Sequence, residues 1–189
     1  MLISLHSFPS LRYFLGAVMG VLLVFMAHSA HAESREALER DSRSALNTLI
    51  AQNPIAKDLY ARAAAVLVFP SVKKAGLMVG AQFGEGVLWQ SGKATAYYNT
   101  GGASFGFQAG VQEYGYAMFF MKESALNALN VTQGFEVGVG PSVVVIDQGI
   151  GVSHTTTTMQ NDIYAFVFSQ KGLMAGIGIQ GNKITRISK

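Results

Sequence analysis

Residues 33–75 contain no glycine, whereas 19 of the chain's 21 glycines fall between Gly76 and Gly181. Glycine inside a regular element costs backbone entropy, but it is the residue of choice where a chain turns tightly or passes close to another backbone. The divide therefore constrains the chain to a helix-compatible segment followed by short extended runs with tight turns.

The glycine-free part has helical periodicity. Leu38, Ala45, Leu46, Leu49 and Ile50 recur at spacings of three, four and seven, one face of an amphipathic helix over Ser34 to Ala51 whose other face is charged. Asn53-Pro54 supplies a cap and a first-turn proline for a second short helix with Ile55, Leu59 and Ala63 on one side. Pro70-Ser71 is expected to end the apolar run Val66-Leu67-Val68-Phe69.

Beyond Gly76, runs rich in valine, isoleucine and aromatics alternate with turn residues, the pattern of an antiparallel sheet. Turns are expected at Phe83-Gly84-Glu85-Gly86, Ser91-Gly92-Lys93, Gln170-Lys171-Gly172 and Gly181-Asn182-Lys183. Phe105, Phe107, Ala109 and Val111 alternate with small or polar residues and predict an apolar face. Lys122 to Asn130 reads as a short inserted helix with Ala125, Leu126 and Leu129 inward. Val143 to Ile146 is unbroken apolar and reads as a strand buried on both faces. The expected fold is α+β: N-terminal helices, over residues 34–65, packed on a strongly curled antiparallel sheet or small barrel, over 66–189, with one helix inserted.

The first 32 residues read as a secretory signal peptide. Arg12 precedes an apolar run from Tyr13 to Ala27, and Ala30-His31-Ala32 is a small-x-small cleavage pattern, so the expected mature chain begins at Glu33. The apolar run is shorter than the ~20 residues of a membrane span. What remains is 157 residues (189 minus 32), enough for one domain with its own core. The expected location is periplasmic or secreted, with peripheral membrane association.

Several chemistries lack their residues. The chain has no cysteine, which removes disulfides and the thiol of a lipoprotein anchor. His154 is the one histidine beyond the leader, so zinc sites of the common His/Cys kinds cannot be assembled. Without Arg12 the balance is 13 basic against 11 acidic side chains, too small a bias to argue for nucleic acid. Gly176-Ile177-Gly178-Ile179-Gln180-Gly181 has dinucleotide-fingerprint spacing but leaves no room for the crossover helix that motif needs. His154 beside hydroxyl residues, with Asp147 or Asp162, is a formal nucleophile arrangement, yet no Gly-x-Ser-x-Gly elbow accompanies it. The densest basic stretch is Lys73-Lys74, with Lys57 and Arg62 shortly before, where helix gives way to sheet. Such cations can hold anionic headgroups; ordinary solvated lysines are the simpler alternative.

Ordered blocks carry a family likeness. The run from Ala65 to Gly76 (AVLVFPSVKKAG), then Tyr98-Asn99-Thr100, Phe107-Gln108-Ala109-Gly110, the run from Val137 to Ser142 (VGVGPS) and the run from Lys171 to Gly176 (KGLMAG) together resemble the SYLF domain over roughly residues 36–187. The resemblance implies a lipid-binding domain without catalysis or cofactor; eukaryotic relatives bind phosphoinositides, and fungal ones also bind and bundle actin. With its leader and no SH3 or FYVE partner domain, the chain looks like an exported bacterial branch. The expected function is non-enzymatic binding of lipid or a membrane surface in the cell envelope, with Arg62, Lys73 and Lys74 as the contacting residues. The alternative is a structural or protein-interaction module of the periplasm or outer membrane, using an aromatic face around Tyr97, Tyr98, Tyr114 and Tyr116.

Overall fold

The computed structural model describes residues 33–130, 134–137, 142–147, 161–172 and 181–189. Helix α1 spans Arg35–Gln52 and starts where the sequence places a cap: the Ser34 hydroxyl accepts from the Ala37 N–H at 3.2 Å. Asn53 closes α1 by donating its N–H to the Leu49 carbonyl, and its side chain accepts from the Ala56 N–H to open α2 (Pro54–Tyr60). Leu38, Leu46 and Leu49 are buried, as the periodicity predicts. Ser42 joins them because its hydroxyl accepts from the indole N–H of Trp89 at 2.8 Å.

Two long strands follow, β1 (Ala65–Gln90) and β2 (Lys93–Phe120), joined by a hairpin in which Ser91 and Gly92 both have positive φ. That turn lies where Ser91-Gly92-Lys93 indicates. Two other expectations are corrected. Pro70-Ser71 does not end the strand; a register shift between Phe69 and Val72 absorbs the proline, which has no N–H to give to the ladder. Phe83 to Gly86 is not a turn either, for these residues lie inside β1 opposite Gly101 to Tyr98.

A straight 26-residue strand would reach roughly 85 Å, too long for a domain of this size. β1 instead curls back over itself. A Cβ on Gly84 would come 2.7 Å from the Ser71 carbonyl and Val72 Cγ2, and one on Gly86 would come 2.6 Å from Phe69 Cδ1. These glycines are thus the condition for contact between the two halves of one strand.

Among the described residues β2 is the hub of a six-stranded sheet with the order β3 (Phe135–Glu136), β6 (Lys183–Ile187), β2, β5 (Ile163–Gly172), β4 (Val143–Asp147), and β1 pairs with β2 off that path. Beyond β2, α3 (Glu123–Leu126) and a 3-10 turn (Asn127–Asn130) bury Ala125, Leu126 and Leu129, as expected for the inserted helix. Next come β3, β4, β5 and, after Gly181 at φ 75, β6. The sheet is mixed, because β4 runs parallel to β5. Val143 and Val145 pack on one apolar cluster, Val144 and Ile146 on the other, which explains the unbroken apolar run. The Gln170–Gly172 turn signal instead accompanies a register shift, with Ser169 at φ 53, and β5 continues to Gly172.

The clusters occupy opposite faces of the sheet. The inner one holds Phe69, Val72, Tyr114, Tyr116 and Phe120, with the Phe69 and Tyr116 rings stacked at 4.6 Å. The outer one packs Leu38, Leu46, Leu49 and Leu59 of the helices on Val66, Val87, Trp89, Phe119 and Phe166. The α+β class, with N-terminal helices packed on a curled sheet and one helix inserted, stands as the sequence indicates; α1 and α2 cover the outer cluster and α3 the inner one.

Two local predictions arise here. Ser42→Ala leaves the buried Trp89 N–H without its acceptor and should cost about 1–3 kcal/mol, read by urea unfolding through the emission of Trp89, the chain's single tryptophan. Unchanged stability would mean the bond is not needed. Asp162 joins the starts of β4 and β5: it accepts from Lys122 Nζ at 2.9 Å and from the Ser142 N–H and hydroxyl at 3.3 and 3.2 Å. The Lys122 bond first, then Ser142, holds its carboxyl below the ordinary 3.8. A depressed carboxyl stabilises the fold above its unfolded value, and the contribution is lost as pH falls through the folded one. The Ser142 amide resonance should therefore titrate with a midpoint under 3.8; a midpoint at or above it contradicts the arrangement.

Candidate functional site

Strand alternation decides which cations reach the surface. Past the register shift at Phe69/Val72, the even-numbered positions of β1 face inward with Val72, and the odd-numbered ones face outward. Lys73 is accordingly exposed on the outer face, and its neighbour Lys74 is turned inward and only 5% exposed. Arg62 follows α2, exposed, with its Nε donating to the Asp58 carbonyl at 3.3 Å. The basic stretch that looks continuous in sequence is divided between two faces of the sheet.

Lys74 belongs to a buried polar group on the inner face with Gln82, Thr100, Gln112 and Asn182. The Tyr114 hydroxyl donates to Gln82 Oε1 at 2.6 Å, Gln82 Nε2 donates to Asn182 Oδ1, and the Tyr116 hydroxyl donates to Thr100 Oγ1 at 2.7 Å. Burial pushes the Tyr114 phenol up to about 12 and the Tyr116 phenol further still, so both remain protonated donors. These bonds tie β1, β2 and β6 across the curl. The expected aromatic face is corrected: Tyr98, Tyr114 and Tyr116 are buried on the inner side, and Tyr97 is buried on the outer side, where its hydroxyl donates to Glu39.

Beyond the helices, no other described element packs on the outer face of the β1–β2 hairpin. It carries Phe83, 54% exposed, and Val111, 68% exposed, the two large apolar side chains most open to solvent among the described residues. One register row runs Lys73–Glu113–Lys171, and Val111 lies two residues from Glu113 on the same face, opposite exposed Ala75. A second row runs Phe83–Gly101–Lys183, with Ala81 and Ala103 exposed beside it. Glu113 accepts from the Ser71 hydroxyl at 2.7 Å, and among the described residues none of Lys73, Lys171 and Lys183 has an ion-pair partner. Exposed apolar side chains flanked by unpaired ammonium groups can meet a surface that is apolar beneath an anionic layer.

The sequence did not single out Phe83, Lys171 or Lys183. Phe83 and Lys171 sit in stretches with turn signals that the strands override, and Lys183 acquires its neighbours through the β2–β6 pairing. Val111 was read as part of an apolar face, but that it stands open to solvent follows from where the helices end.

His154, the fingerprint-like glycines 176–181 and the leader lie wholly or partly outside the described residues. Among the described residues, no three His, Asp or Glu side chains gather as a metal site requires, and no helix is long and apolar enough to cross a membrane.

Fold and surface together define an α+β domain with its two N-terminal helices on one face of a curled sheet and, among the described residues, an exposed basic-apolar patch beside them. Residues 101–189 match the family model described as Ysc84, Las17-binding protein actin regulator, a match that supports the likeness to the SYLF domain. The match contains the family blocks at Phe107, Val137 and Lys171. No curated protein matches the chain.

Proposed function

We propose that the protein binds lipid or a membrane surface in the cell envelope, without catalysis, through the outer face of its β1–β2 hairpin. The observation that carries this reading is the grouping of exposed Phe83 and Val111 with the exposed lysines 73, 171 and 183 on one face of the sheet. Each lysine held near an anionic membrane contributes about 1 kcal/mol, and burying a phenylalanine contributes about 1.5–3 kcal/mol. Arg62, beyond the end of α2, adds a further exposed cation to the proposed set, while Lys74, turned inward and buried, is left out of it. The leader pattern supports export, with cleavage before Glu33 and a periplasmic or secreted location; intact mass of the protein from an exporting host reads the cut directly.

Co-sedimentation with vesicles tests the binding. The protein should pellet with vesicles containing phosphatidylglycerol, less so in high salt, and weakly with phosphatidylcholine alone. Absence of binding to every lipid class would sink the reading. A protein-interaction module is the second reading, favoured by the family description, which names a protein partner and actin regulation. It predicts capture of a defined envelope protein with no vesicle binding.

A further inference from the structure

A cleft of about 240 Å³ lies where the closed end of the β1–β2 hairpin, α3 and β6 meet. Buried Tyr98 is among its lining residues, and Gln90, Thr95 and Asn127 are its uncharged polar side chains. Two charged groups complete it, Glu123 from the first turn of α3 and Arg186 from β6, whose backbone pairs with Tyr98. Both are exposed, and although they line the same cleft they form no ion pair with each other or with another described residue. Burial raises the Tyr98 phenol, and the nearby Arg186 guanidinium works against that rise. The Thr95 hydroxyl donates to Gln90 Oε1 at 2.9 Å, which leaves the Gln90 amide N–H groups to serve as donors.

Opposite charges that share a cleft without meeting are complementary to a molecule that is itself positive at one end and negative at the other. A purely anionic ligand would leave Glu123 repelling it, and a purely cationic one would face Arg186. We propose that this cleft binds a small zwitterion, with a phosphate or carboxylate on Arg186 and a primary ammonium on Glu123. The guanidinium offers paired N–H donors to a tetrahedral or planar anion, and a carboxylate is the natural acceptor for an ammonium. The chemistry is that of phosphoethanolamine, free or as a lipid headgroup. Arg186 and Tyr98 belong to the inner side of the sheet, so the site is separate from the outer face and stands whether or not that face binds membranes.

Calorimetric titration of the purified protein with O-phosphoethanolamine, inorganic phosphate and ethanolamine tests the proposal. Saturable binding is expected for phosphoethanolamine, and weaker binding for either half alone. Arg186→Gln and Glu123→Gln should each weaken phosphoethanolamine binding by about tenfold with an unchanged melting temperature, since both side chains are exposed. The double exchange Glu123→Arg with Arg186→Glu should recover part of the affinity, because the ligand can reverse. Vesicles of phosphatidylethanolamine in neutral lipid separate the sources: dependence on Arg186 and Glu123 there identifies a headgroup, and dependence in solution alone identifies a free zwitterion. No saturable phosphoethanolamine binding in either setting, or binding indifferent to both substitutions, overturns the proposal. Loss of anionic-vesicle binding in Lys73, Lys171 and Lys183 variants leaves it untouched.

Discussion

Replacing Lys73, Lys171 and Lys183 together by glutamine should lower affinity for anionic vesicles about 100-fold while leaving the fold intact. Three cations at about 1 kcal/mol each sum to about 3 kcal/mol, and each 1.4 kcal/mol is a factor of ten. All three side chains are exposed and carry no ion pair among the described residues, and glutamine keeps most of each aliphatic stem, so the exchange breaks no described salt bridge. Phe83→Asp should add a further loss of about tenfold or more by removing the apolar insertion and placing a carboxylate among the headgroups. A lysine variant that still pellets as the parent does would move the binding surface elsewhere.

Gly86→Val should be the most damaging single substitution in the hairpin. Its Cβ would fall 2.6 Å from Phe69 Cδ1 and 2.7 Å from the Val68 carbonyl oxygen. The ring has some freedom to shift, but the carbonyl is in the ladder of the same strand, so relief requires the curl to open. Overpacking of this kind costs about 3 kcal/mol or more, a fall of roughly 6–12 °C in melting temperature for a chain of this size. Gly92→Ala is the matching control. Gly92 has nothing within 4 Å of an added Cβ but sits at φ 76, so only the backbone preference is lost, about 1 kcal/mol. Thermal unfolding followed at Trp89 reads both; equal losses at the two positions would argue against the folded-back strand.

The helices were legible because their signals are local. Ser34 and Asn53 reach N–H groups three residues away, Pro54 needs only its own φ, and the burial of Leu38, Leu46 and Leu49 follows from a 3.6-residue period. The Ser91-Gly92 hairpin is local in the same way. Pro70, the glycines at 84 and 86 and the Gln170–Gly172 stretch misled because the same residue types serve turns and interrupted strands. Glycine at 86 marks a close approach of residues 17 positions away (86 minus 69) in the same strand, which no window of neighbours reveals. The split of Lys73 from Lys74 follows from alternation once β1 is known to run through Pro70.

From sequence alone came the order of helix before sheet, the caps, the first hairpin and the inserted helix, all of which depend on backbone preferences and short-range periods, and, separately, the family likeness carried by ordered residue blocks. The tertiary structure decided the curl of β1 and β2, the parallel seating of β4, the inward turn of Lys74 and the gathering of Phe83, Val111, Lys171 and Lys183 on one face. The reason is physical: which side of a strand meets solvent depends on register shifts and on where the helices stop covering the sheet, and both are set by contacts between residues far apart in the chain.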